Sequence, residues 1–474
     1  MDRLHSNRRD FLKKSAGLAA AGLAAPYFWT SALAQSNESK NDKLNIGAIG
    51  LGSRGAGIGH DAAKHGNMVA CADVDKAVAE KFAEQYQGKC DVYTDYRKII
   101  ERPDIDVVIC GTPDHWHTKI AIETMHADKH LYCEKPLTLT IEESKFIDQT
   151  VKQFNKVFQV GTQQRSEFGE AFLKAVAIAR SGRLGNKLHA ICSVNTPAYD
   201  HSQGGPFPDQ GPPATLDWDF WLGQQPLVQF TPNRIGWNFR WWLHSSGGQV
   251  TDWGVHHNDI TLWALGGENT GIIEAEGQGD FPLFTPEFGI NNVSDIADFL
   301  NGKKTLPPSY NVPWTFDCNM LLPNGNTIFF TSGNDKKNPK DRGKNEIIIS
   351  GKNGKIRVNR GPDNKGNLTG KIVEEINASQ QEKQWLEEEV AKLYRNMPRE
   401  GHMANFFHCI KTGETPISDV FTHLNSLNSC HMANIALMVK RKVKWDPQKY
   451  EFIGDDEANM LARRYQREPY QIKI

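Results

Sequence analysis

From Lys43 onward, short apolar runs alternate with longer stretches of mixed polarity. L-N-I-G-A-I-G (44–50), M-V-A-C-A (68–72), D-V-V-I-C-G (106–111), H-L-Y-C (130–133) and V-F-Q-V-G (157–161) read as buried strands, with C-D-V-Y (90–93) a shorter one. Helices are predicted between them over Lys76–Tyr86, Tyr96–Glu101, the segment after Pro113, and Ile141–Phe154. Strands separated by helices of this length predict an α/β fold with a doubly wound parallel sheet, whose ligands lie beyond the carboxyl ends of the strands. Further on, residues 247–266 read G-G-Q-V-T-D-W-G-V-H-H-N-D-I-T-L-W-A-L-G. Thr251 fits as the N-cap of a helix there, which would put positions 252, 256, 259 and 263 on one face. The last segment, 446–474, reads as a strand end, a short helix and an extended tail packing on the fold or on a neighbour.

Upstream of Lys43 the pattern is different. N-R-R-D-F-L-K-K (7–14), an Ala-rich apolar stretch from Ala16 to Ala25 and the small-residue site Ala32-Leu33-Ala34 form a secretory signal of the twin-arginine type. A membrane span would need about 20 apolar residues. An uncleaved segment acting as a membrane tether is the alternative. The organisation expected is therefore a signal over 1–34, a polar linker over 35–42, a first domain over 43–161, an α/β substrate and oligomerisation domain over 162–445, and the tail. The twin-arginine machinery, which carries folded proteins, is the export partner this signal implies.

Composition narrows the picture. A chain of 474 residues, 39% apolar and 23% charged, can bury two cores. A net charge of -1 with no basic run after the N-terminus argues against nucleic acid. Eight cysteines, none in C-x-x-C spacing, read as buried thiols, not as a disulfide framework or zinc site.

The first strand runs into Gly50-x-Gly52-x-x-Gly55, and the second ends at Asp73, about 20 residues on, as in a dinucleotide-binding turn. Gly50 permits the tight turn, Gly52 lets backbone approach a pyrophosphate, and Gly55 allows close helix packing. Ser53 and Arg54 complete the loop. Asp73 would accept from the ribose hydroxyls and repel a 2′-phosphate, which favours NAD; Arg54 is the feature that would suit NADP.

The glycine loop, Asp73, T-P-x-x-x-H (Thr112, Pro113, His117) after the fourth strand, Glu134-Lys135-Pro136 after the fifth and D-x-x-x-H at Asp252 and His256 together resemble the Gfo/Idh/MocA oxidoreductases. The resemblance covers the chain after the linker. It implies a second domain with an open, mostly antiparallel sheet, and a dimer or tetramer formed through that sheet. It also implies cofactor contacts from Thr112, Pro113, His117, Glu134 and Lys135. Lys135 would touch both cofactor and substrate hydroxyl, His256 would be the acid/base, and Asp252 would bind substrate and tune the pair. His256 ranks above Lys135 as base, because an ordinary imidazole titrates close to neutral pH. Asp252, His256, His257 and Asp259 as a metal set is a weaker alternative; no metal is expected.

Aromatic rings interleaved with Arg and amide groups suit a carbohydrate. V-G-T-Q-Q-R-S (160–166) and R-I-G-W-N-F-R-W-W (234–242) supply them. Candidate substrate contacts are His115, Gln163, Arg165, Arg240, Trp241 and His257, with Trp237 and Trp242 beside them. The expected activity is hydride transfer from a secondary hydroxyl of a sugar or glycoside to tightly bound NAD. The alternatives are an NAD-assisted glycosidase working through transient C3 oxidation and elimination, and a noncatalytic periplasmic sugar-binding protein.

Overall fold

The computed structural model describes residues 43–197, 204–332, 345–361, 371–374 and 380–474; the expected signal and linker lie outside them. The first sheet and its helices run β1 (Asn45–Ile49), α1 (Ser53–Ala62), β2 (Asn67–Ala72), α2 (Lys76–Ala83), β3 (Asp91–Tyr93), α3 (Arg97–Ile100), β4 (Val107–Cys110), α4 (Asp114–His126), β5 (His130–Cys133), α5 (Ile141–Val151) and β6 (Phe158–Val160). Its six strands are parallel in the order β3-β2-β1-β4-β5-β6. All four residues of β4 are buried, as expected of a strand covered on both faces. The order in which successive strands are added reverses between β1 and β4, which run parallel with Ile49 paired to Cys110. Such a switch point leaves a crevice at the strand ends.

The remainder runs α6 (Ala171–Arg180), β7 (Leu188–Ser193), α7 (Trp218–Leu222), α8 (Gly254–Ala264), β8 (Glu274–Gly279), α9 (Val293–Leu300), β9 (Phe316–Leu321), β10 (Thr327–Thr331), β11 (Glu346–Gly351) and β12 (Gly354–Asn359). It ends with β13 (Lys371–Glu374), α10 (Gln380–Leu393), α11 (His402–Thr412), α12 (Val420–Val439), β14 (Val443–Asp446), β15 (Glu451–Phe452) and α13 (Asp456–Leu461). Its sheet is nine-stranded, β13-β12-β11-β7-β10-β9-β8-β14-β15, antiparallel except for the β7–β10 pair. Along β9, Phe316, Cys318 and Met320 are buried while Asp317 and Asn319 face out, the alternation of a sheet covered on one face. Helices α6, α8 and α12 provide the cover.

One feature goes beyond the sequence expectation. Met403, Phe406 and Phe407 of α11 join Ile46, Ala48 and Met68 in one apolar cluster, so a late segment completes the first domain. The final residues pack on their own chain: Tyr470 stacks on Phe220, and Lys119 Nζ donates to Gln471 O at 2.9 Å. All eight cysteines are buried and free.

Candidate active site

The glycine turn shows what belongs in the crevice. Gly50 has φ +74°, and a Cβ there would lie 2.6 Å from Thr112 N; a Cβ at Gly55 would run into Gly50 O. Gly52 differs, because a Cβ there would meet no protein atom within 4 Å although the residue lines a cavity of about 610 Å³. The open space beside Gly52 is what a dinucleotide pyrophosphate needs. With backbone φ at -56°, Gly52 tolerates a side chain sterically. Gly52→Val is therefore expected to leave the thermal midpoint of the nucleotide-free protein unchanged yet weaken dinucleotide binding by about 100-fold or more, checked by calorimetric titration and thermal unfolding of protein stripped of nucleotide.

Asp73, at the end of β2, accepts from Leu51 N at 2.7 Å and Asp75 N at 2.9 Å. Burial pushes its carboxyl up, against these backbone donors. Arg54 points the other way, donating to Glu134 Oε1 at 2.8 Å, and Gln163 Nε2 donates to the same oxygen at 2.9 Å. The Lys135–Pro136 bond is cis. Lys135 Nζ crosses to the second domain, donating to Asp252 Oδ1 at 2.6 Å and Asp252 O at 2.8 Å. Arg240 Nε reaches that Oδ1 at 3.1 Å. Burial alone would raise the Asp252 carboxyl, but Lys135 and Arg240 outweigh it and hold it at about 2.

His256 lies beside this triad, 4% exposed, and its Nδ1 has no partner. Burial, reinforced by the charges of Arg360 and Lys135, lowers the imidazole well below its ordinary value, so it is neutral at working pH. Asp114, whose Oδ2 accepts from Ser246 Oγ, is pushed up to about 7 by burial in the same cavity.

Of the residues singled out in the sequence, Gly50, Gly52, Ser53, Arg54, Gly55, Asp73, Thr112, Pro113, Glu134, Lys135, Gln163, Arg240, Asp252 and His256 line one cavity, together with the exposed Trp237. Six face elsewhere, among them Trp242, buried at 1% exposure with its Nε1 donating to Asn233 O. His115 Nε2 donates to Trp221 O at 2.9 Å, and His117 bridges Pro136 O and Thr112 O, tying the two motif turns together from behind. His257 is committed to Ser193 O, and Trp241 is buried in the core at 1% exposure. Arg165 is the largest departure: its guanidinium grips Asp259 through Nε (2.6 Å) and Nη2 (2.7 Å), with Nη1 on Ile417 O, and none of it reaches the cavity. Thr251 does not cap α8, which starts at Gly254 after a 3₁₀ turn over Gly248–Val250.

The metal alternative has no geometry behind it, because Asp259 and His257 turn away from Asp252 and His256. Cys110, His117 and Cys133 bring ligand atoms within 4.8 Å of one another, but both His117 nitrogens are taken by carbonyls. Glu167, Phe168, Trp253 and Arg360 also line the cavity and carried no motif that would have marked them.

A doubly wound sheet with a glycine turn at its switch point and an acidic residue closing β2 defines a nicotinamide-dinucleotide-binding oxidoreductase fold. The chain belongs to the Gfo/Idh/MocA oxidoreductase family: the NAD-binding Rossmann model matches residues 44–162 and the C-terminal alpha/beta domain model matches 179–280 and 342–472. A glycosyl hydrolase family 109 protein of Shewanella baltica is 33% identical over 207 residues, 39% of this chain and 44% of that protein. An alpha-N-acetylgalactosaminidase of Shewanella oneidensis is 32% identical over 187 residues, 37% of this chain and 38% of that one. The match thus spans less than half the length of these curated relatives. Among solved structures, the aldose-aldose oxidoreductase of Caulobacter crescentus superposes with TM-score 0.55 at 18% identity, covering 85% of this chain and all of that one, a likeness of fold alone.

Proposed function

We propose that the protein is an NAD-dependent oxidoreductase acting on a secondary hydroxyl of a sugar or glycoside, with the cofactor retained through the cycle. The observation that carries this is a neutral, untethered His256 beside the Lys135–Asp252–Arg240 triad, in a cavity continuous with the glycine turn. Gly50, Gly52, Ser53, Gly55, Asp73, Thr112 and Glu134 are the residues that would hold the dinucleotide. Bound nicotinamide supplies a hydride acceptor. NAD is favoured over NADP because Asp73 sits where a 2′-phosphate would be repelled, while Arg54 is engaged by Glu134.

The protein's own groups divide the remaining work. An ammonium has three N–H donors. Two from Lys135 go to Asp252, and the third is left for the substrate hydroxyl, which it orients and stabilises as negative charge develops. His256 accepts the hydroxyl proton. Asp252, held ionised, keeps the ammonium in place, and Trp237 offers a ring face to a sugar.

The relatives named as glycosidases favour a second version of the same chemistry. Oxidation at C3 acidifies the hydrogen at C2; its loss to a base expels the glycosidic group, and water addition and return of the hydride restore the sugar. Export, and assembly through the open sheet face where Ile191 pairs with Phe329 and Ile348, belong to the same proposal.

The test is mass spectrometry of whatever the full chain, purified without added nucleotide, releases on denaturation, with the reduced-nicotinamide absorbance followed as glycosides are added. Stoichiometric NAD that becomes and stays reduced supports the dehydrogenase; released sugar with no net reduction supports the redox-neutral version. A protein that neither holds nor takes up a dinucleotide overturns both.

A further inference from the structure

Lys135, Asp252, Arg240 and His256 account for the hydroxyl that is oxidised, and none of them is left to donate a proton to a departing group. Expelling an alcohol from a glycoside produces an alkoxide, far more basic than any group in the cavity, unless an acid protonates the oxygen as the bond breaks. The carboxyl groups lining the cavity are Asp73, Asp75, Asp114, Glu134, Glu167 and Asp252. Asp252 is held ionised, and Glu134 is paired with Arg54 at 2.8 Å. Asp73 and Asp75 accept from backbone N–H groups at the dinucleotide end, Leu51 N and Ala77 N among them. Glu167 lies in the field of Arg54 and Arg360, which favours its ionised form.

Asp114 differs in both position and partners. It opens α4 just past β4, and Lys135 stands just past β5; the ends of these neighbouring strands, Cys110 and Cys133, are paired. The residue is 3% exposed, and Ser246 Oγ of the second domain donates to its Oδ2 at 2.5 Å. Oδ1 takes no hydrogen bond from the described residues, yet it is not sealed among protein atoms and opens on the cavity. With Oδ2 filled by a donor, an acidic proton resides on Oδ1. Burial pushes this carboxyl up to about 7, against Ser246, Arg240 and Lys135, so at neutral pH it keeps a share of the proton that an ordinary carboxyl has lost. A tie between domains alone would be served by asparagine, whose oxygen accepts from Ser246 without burying an acid.

We propose that Asp114 is the catalytic acid that protonates the departing glycosidic oxygen, and the base that then deprotonates the incoming water. The assignment rests on the redox-neutral version of the reading above. Once C3 is oxidised and His256 has passed the hydroxyl proton to water, the C2–H bond breaks and its proton goes to His256. Its electron pair forms the C1–C2 double bond, and the C1–O pair leaves on the glycosidic oxygen, which takes the Oδ1 proton. Water addition runs the other way: the Asp114 carboxylate removes a proton from water as its oxygen bonds to C1, and C2 regains a proton from His256. Return of the hydride to C3, with a proton from water to its oxygen, restores the starting state.

The experiment follows single turnovers of the full-length holoenzyme with methyl, phenyl and 4-nitrophenyl glycosides of glucose, galactose and their 2-acetamido forms. Released alcohol and reduced-nicotinamide absorbance are read together. In Asp114→Asn, release from the responsive methyl glycoside is expected to fall about 10²–10⁴-fold, while 4-nitrophenol, which departs unaided, stays within about threefold of wild type. The nicotinamide should remain reduced when the variant meets the methyl glycoside, because oxidation at C3 still proceeds. Circular dichroism and NAD content identify misfolding. Equal losses across the leaving groups in folded Asp114→Asn, or the same leaving-group dependence from Glu167→Gln with Asp114→Asn unaffected, would overturn the acid assignment alone. Reduced nicotinamide with no alcohol released by wild type would overturn the redox-neutral version and leave the dehydrogenase. Neither signal from any glycoside would overturn the oxidoreductase reading as well.

Discussion

His256→Ala is expected to slow reduction of bound NAD by a responsive sugar about 10²–10⁴-fold, the usual contribution of a positioned general base, with NAD still bound. The argument is electrostatic. Burial and two neighbouring cations make the imidazolium costly, so the side chain rests in the form that can accept a proton. The same feature sets the pH dependence. The imidazole is lowered, so its basic form fills above that lowered value, and the oxidation rate should stay flat as pH falls through 6.5, where an ordinary histidine would already be half protonated. Asp252, held at about 2, adds no inflection in that range. If another group were the base, His256→Ala would instead leave the rate close to wild type. Stopped-flow reduction from pH 5 to 10 in folded wild-type and variant enzyme separates the two. A plateau with the variant slowed supports His256, and His256→Ala near wild type rejects it.

The parts of the site legible in the sequence are those fixed by local backbone geometry. A glycine turn between strand and helix, an acid at the end of β2, and Lys135 just past β5 need only short-range order, and all of them line the cavity. Side-chain direction was harder to read. His256 and His257 are adjacent on a helix, about 100° apart, so one faces the cavity and the other the sheet. The face argument through 252, 256, 259 and 263 fails because the helix starts only at Gly254, after Asp252. The late strands were less legible still. The parallel β7–β10 pair and the return of α11 to the first sheet depend on contacts between segments far apart in sequence, and no local pattern encodes them. Arg360 is the extreme case: it reaches the cavity only through the order of the nine-stranded sheet, and nothing around it in the sequence distinguishes it from a surface arginine after a strand.

Arg165 gives the sharpest stability prediction, and it reverses its expected role. Placed just after β6, it should by position have met the ligand; the 3₁₀ turn Gln163–Arg165 instead sends Gln163 to Glu134 and Arg165 into the second domain's core. The pair it forms is dry, with Arg165 and Asp259 side chains 3% and 0% exposed, and the guanidinium lies 4.7 Å from the Trp263 ring centroid. Removing either partner strands a charge that water cannot reach. Asp259→Ala or Arg165→Met is therefore expected to cost about 3–5 kcal/mol, read as a lower denaturant midpoint at unchanged slope. Replacing both, Arg165→Met with Asp259→Leu, should recover most of that loss, because attraction inside such a pair barely exceeds the desolvation of its two members. Turnover per folded molecule and KM should stay close to wild type in the double variant. A sugar contact at Arg165 would instead raise KM in Arg165→Met and leave the midpoint in place. A double variant as unstable as the worse single one would mean that the pair, with its Ile417 and Ser426 contacts, fixes the packing of α8 against α12 more strongly than an apolar replacement can.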